Sequence, residues 1–143
     1  MEHRITGQNT RDFGLFNVTL LKQKTVQNRI HKWIKALESG KCLQGSGRRA
    51  YESEEGFTYC CLGVANKVCK LGVHDTSGML YGQDEYRPTY KMGLFDSGGE
   101  FNKASCDTNA LFSLNDSEGW SFAEIAQLLK DQYNVVMKKV AQN

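Results

Sequence analysis

Proline is almost missing from this chain: Pro88 stands alone among 143 residues. That excludes a proline-rich linker or stalk. No run of about 18 apolar residues occurs, so no segment reads as a membrane span. The opening MEHRITGQNTRDFG has no apolar centre and is not expected to be a secretory signal. Histidine is scarce, with only His3, His31 and His74. The motifs G-x-S-x-G and H-E-x-x-H, the Walker loop and the dinucleotide fingerprint are all missing. No cofactor is expected.

The remaining composition is that of a globular chain, 40% hydrophobic and 24% charged. A chain this long buries roughly 68–70% of its unfolded surface, enough for a core without staples. A single domain over 1–143 is expected, with 1–24 as an N-terminal arm. The five cysteines are Cys42, Cys60, Cys61, Cys69 and Cys106. An odd count without a signal fits free thiols in a reducing cytoplasm. Their spacings do not match a zinc site, so they are read as small buried hydrophobes.

The net charge of +2 is unevenly spread. Residues 1–50 hold ten Lys or Arg against Glu2, Asp12 and Glu38, which nets +7 and leaves −5 for the rest. Such asymmetry suits an anionic partner, or a basic patch meeting an acidic one. Duplex DNA is disfavoured, because the total charge is small and no helix has a dense basic face.

Periodicity predicts three main helices at about 25–39, 59–71 and 121–140. In the first, Val26, Ile30, Trp33, Ile34 and Leu37 make one stripe, Thr25 serves as cap and Gly40 as terminator. Thr58 is the expected cap of the second. The third opens on Ser121-Phe122-Ala123-Glu124, a capping box. Residues 13–21, FGLFNVTLL, read as a strand or extended arm. If nothing covered them, they would be a surface for self-association. Short strands are expected near 79–81, 89–94 and 100–101, and a last apolar element at 110–114. The fold class predicted is α+β: three helices packed on a small, mostly antiparallel sheet.

The candidate site is the joint 44–59. Gly45 and Gly47 let consecutive backbone N–H groups face one concavity, the geometry that holds an anion. Arg48 and Arg49 add bidentate donors suited to phosphate. Gln44 stands at the start of this turn, and Tyr51 or Tyr59 could flank a base. The plainer reading is a surface loop whose arginines pair with Glu52, Glu54 and Glu55. Two weaker constellations were weighed. Cys69 with His74 could form a thiol–base pair, against a simple turn histidine. Asn115-Asp116 could take a cation, against a turn leading into a capped helix. In both, the plainer reading is preferred.

Trp33, Leu37 and Ser39-Gly40, then Gln44-Gly45, then Phe57 with CCLGV at 60–64, then Leu114-Asn115-Asp116 with SFAEIA at 121–126, resemble a group of small proteins encoded by tailed bacteriophages. The resemblance implies a phage protein acting in the cytoplasm of an infected bacterium. It supplies no catalytic residues. Small accessory phage proteins often act against host defence. Joined to the glycine–arginine turn, that context leads to the functional expectation. The chain would sequester a phosphate-containing immune signal, a cyclic nucleotide or ADP-ribose-type molecule, without catalysis and as a homo-oligomer. The alternative is a protein-binding inhibitor of a host enzyme, working through 13–21 and the acidic 52–55. A nucleotide-cleaving enzyme is the third reading.

Overall fold

A computed structural model describes residues 11–45, 50–53, 56–72, 88–95 and 111–142. Six helices dominate them: α1 (Val18–Leu21), α2 (Lys24–Ser39), α3 (Cys61–Cys69), α4 (Pro88–Lys91), α5 (Leu111–Asp116) and α6 (Phe122–Gln142). Three short strands, β1 (Leu43–Gln44), β2 (Ala50–Ser53) and β3 (Gly56–Tyr59), form one sheet in the order β1-β3-β2. β1 runs parallel to β3 and β2 antiparallel to it.

This overturns the expected α+β layering. The described residues are mostly helical, and their sheet is a small mixed one. Strands of two to four residues cannot offer a face broad enough to floor three helices. Helices therefore bury their stripes against one another. α2 packs on α3 and α6, α1 on α6, and α3 on α5.

α2 forms where the stripe predicted it, with Val26, Ile30, Trp33, Ile34 and Leu37 buried. It begins at Lys24, so Thr25 lies inside the first turn and Gln23 takes the cap position. Gly40 ends it in the left-handed region at φ 75°. Trp33 is wholly buried, and its indole N–H donates to the Cys61 carbonyl at 2.9 Å. That bond satisfies the one polar atom of the ring and ties α2 to α3. Thr58 lies within β3 instead of capping α3, and Cys60 precedes that helix.

Residues 13–21 are not a strand. Phe16 makes a single bridge to Leu94, and Asn17 then turns the chain into α1, its side chain accepting from the Thr19 and Leu20 amides. Phe13, Leu15, Phe16 and Leu21 are core residues. The apolar surface expected for self-association is thus covered within the chain. Buried Gln132 of α6 holds this segment, accepting from the Phe13 amide and donating to the Arg11 carbonyl.

The strand expected at 89–94 is instead α4 followed by a turn. Pro88 opens it, suited to the first helical turn because its fixed φ and missing N–H are no loss there. The Asn17 amide donates to the Gly93 carbonyl and the Phe95 amide to that of Leu15, so this turn clasps the N-terminal segment. The strands expected at 79–81 and 100–101 lie outside the described residues. The apolar element at 110–114 corresponds to α5. The capping box forms as read: Ser121 Oγ accepts from the Glu124 amide, and the Glu124 carboxylate accepts from the Ser121 amide. No described helix is long and apolar enough to cross a membrane.

Candidate functional site

Tyr59 is the pivot of the joint. It is the last residue of β3, with Gln44 of β1 registered on one side and Ala50 of β2 on the other. The residues that precede and follow 45–49 in the chain, Gln44 and Ala50, are therefore the two neighbours of Tyr59 in the sheet. Gly47, Arg48 and Arg49 lie outside the described residues. Arg49 is bonded to Ala50, so its backbone starts one residue from a partner of Tyr59.

Gln44 and Gly45 are built into the frame. The Gly45 amide donates to the Tyr59 carbonyl at 2.8 Å, and the Gly45 carbonyl accepts from Asn115 Nδ2 at 2.7 Å. The Gln44 side chain donates to Asn115 Oδ1 and to the Trp120 carbonyl, and its oxygen accepts from the Phe122 amide. Both residues stand on one wall of a cleft of about 480 Å³, whose other wall is Asn115, Asp116 and the 119–121 turn. Their polar groups brace the loop; the N–H of Gly45 is spent inside the sheet. Sequence reasoning saw the glycines' freedom but could not see this partner, which lies 70 residues away.

Tyr59 itself presents an aromatic face. Its ring stacks on Phe57, with centroids 6.4 Å apart and planes 27° from parallel. The Lys67 ammonium of α3 lies 5.3 Å from the Tyr59 ring centroid, a cation–π distance. Phe57 is 55% exposed. Phe57 and Lys67 were not among the ligand-binding residues expected from the sequence. The signal for Phe57 was there: residues two apart on a strand share a face. Tyr51 lies in β2, its backbone paired with Thr58.

Both thiols of the cysteine helix are held above the ordinary thiol value. Burial pushes the Cys61 thiol well up, helped by neighbouring Cys60 and by Asp116. Its Sγ donates to the Leu111 carbonyl. Burial also raises the Cys69 thiol, over the opposing pull of Lys32 and Arg29. His74, its suggested partner, lies outside the described residues. The side-chain nitrogen of Asn115 donates to Asp116 Oδ1, so this pair acts as a turn device. Among the described residues no group of three or more His, Cys, Asp or Glu could hold a metal ion. The chain matches no family model, no curated protein and no solved structure in the three comparisons made.

Proposed function

We propose that this protein binds a nucleotide-derived signal and withholds it without altering it, as a phage counter-defence protein in the cytoplasm of an infected bacterium. The observation that carries the reading is the convergence at Tyr59. Exposed Phe57 stacks on half-buried Tyr59, with Lys67 over the Tyr59 ring, beside Gln44 and Ala50, the residues that flank the glycine–arginine segment. Base stacking on an aromatic face contributes about 1–3 kcal/mol per base. Arg48, Arg49 and Lys67 supply the cations that phosphates require. Sequestration needs contacts of these two kinds and no acid–base pair. For the protein-inhibitor alternative, Phe13, Leu15, Phe16 and Leu21 of the 13–21 surface are core residues.

Titration calorimetry against cyclic dinucleotides and ADP-ribose derivatives tests the proposal, with the ligand recovered after heat denaturation. Recovery of intact ligand is the expected result. Altered ligand would favour the cleaving enzyme, and no binding across the panel would return the question to a protein target. Replacing Arg48 and Arg49 together by alanine should weaken binding at least about tenfold, given the usual 1.5–3 kcal/mol of a charge-assisted bond. Tyr59→Leu should weaken it less while leaving the fold intact. An affinity unchanged within about twofold in both variants would move the site elsewhere.

A further inference from the structure

A second cleft, of about 540 Å³, opens between the α1–α2 corner and α4. It shares no lining residue with the joint at Tyr59. Arg29 and Lys91 line it together with Gln23, Thr25 and Tyr90, and among the described residues no carboxylate does. Arg29 is fixed there: its Nη1 donates to the Lys91 carbonyl at 3.2 Å. A guanidinium has five N–H donors, so this bond orients the fork without exhausting it. Neither Arg29 nor Lys91 forms an ion pair among the described residues. Two basic residues lining one concavity, with no described carboxylate among its walls, raise the local potential for an anion. The first turn of the 16-residue α2 borders the same cleft, and no side chain caps it. Its amides and positive dipole end add to the field of the two cations. The volume lies within the roughly 300–1,000 Å³ usual for small-molecule sites.

We propose that this cleft binds a phosphorylated small molecule, with its phosphate between Arg29 and Lys91 and its remaining atoms against Tyr90 and Leu20. The site stands whether or not the Tyr59 joint binds nucleotides.

The test is an amide chemical-shift titration of the full chain with inorganic pyrophosphate and, separately, adenosine monophosphate. Saturable shifts are expected at 23–29 and 90–92. Lys91→Glu should weaken pyrophosphate at least about tenfold, the loss of a charge-assisted contact. Arg29→Gln should do the same. If that variant fails to fold for want of the Lys91 carbonyl bond, Lys91→Glu decides, because no described contact depends on the Lys91 ammonium. The double replacement of Arg48 and Arg49 by alanine should leave pyrophosphate shifts at 23–29 intact. The proposal is overturned by shifts confined to 57–67, by a Lys91→Glu affinity within about twofold of wild type, or by no saturable shift up to about 10 mM.

Discussion

Gly93 meets two demands at once. Its φ is +70°, and a Cβ built there would fall 2.6 Å from Leu21 Cδ1 and 2.9 Å from Val26 Cγ1. Gly40 has nearly the same φ, +75°, but nothing within 4 Å. An L-residue in the left-handed region costs roughly 1–2 kcal/mol, and overpacking a core adds about 1–3 kcal/mol. Gly93→Ala should therefore lose about 2–5 kcal/mol in urea unfolding and Gly40→Ala only about 1–2 kcal/mol. Equal losses would mean that the α1–α2 corner yields to the extra methyl. Cys61 gives a pH prediction at the same scale. Its thiol is raised when folded, so the unfolded chain ionises first as pH rises through the ordinary thiol value of 9.0. The unfolded state then binds fewer protons than the native one, and stability falls. Below that pH the contribution is flat. Thermal unfolding should show an alkaline decline, and Cys61→Ser, which does not titrate there, should make it shallower. A decline of unchanged slope would assign it to other groups, Cys69 first and then Tyr133, both of which burial also raises.

The start of α6 is capped twice, once by its own box and once from β1. Ser121 Oγ accepts from the Glu124 amide, and Gln44 Oε1 accepts from the Phe122 amide. Ser121→Ala should cost about 1 kcal/mol, the ordinary loss of a cap. Gln44→Ala removes that acceptor and the donors to Asn115 and Trp120, and should cost about 2–3 kcal/mol by equilibrium unfolding. If the two losses were equal, the Gln44 bonds would be solvent-compensated and the β1–α6 brace weak. The contrast also shows what was legible. The box was readable because its partners lie three residues apart; the Gln44 brace was not, because Asn115 is 71 residues away. α2 and α6 were legible because each keeps a helical stripe for at least three turns. Residues 13–21 misled because their apolar side chains are buried from a mixed path, a bridge at Phe16 and then a four-residue helix. The same held at 89–94, where Thr89 and Tyr90 favour strands, yet Pro88 sets a helical turn. Of the candidate residues, Gln44, Gly45 and Tyr59 lie together at the sheet, but their bonds could not be assigned from the sequence.

The described ion pairs do not relieve the charge asymmetry of the chain, because each joins an acid of the basic half to a lysine of the acidic half. Glu38 of α2 pairs with Lys130 of α6, and Asp12 pairs with Lys139. Exposed pairs of this kind contribute at most about 1 kcal/mol, so they align elements without holding them. What holds the N-terminal half to α6 is burial. Phe13, Leu15 and Phe16 are core residues, and Gln132 bonds the backbone on both sides of Asp12. Full burial of each such side chain contributes about 1.5–3 kcal/mol, together a large part of the roughly 5–15 kcal/mol that holds a domain. A chain lacking residues 1–16 should therefore lose its cooperative thermal transition and near-ultraviolet circular dichroism, while the full chain unfolds in one step. A swapped or associating arm predicts something different. The truncated chain would stay folded, and only its elution in size-exclusion chromatography would change. A folded, monomeric truncation product from an oligomeric parent would show that the segment belongs to an interface. Loss of the fold at every concentration would show that it is an internal wall of the core, and any oligomer would then have to form through another surface.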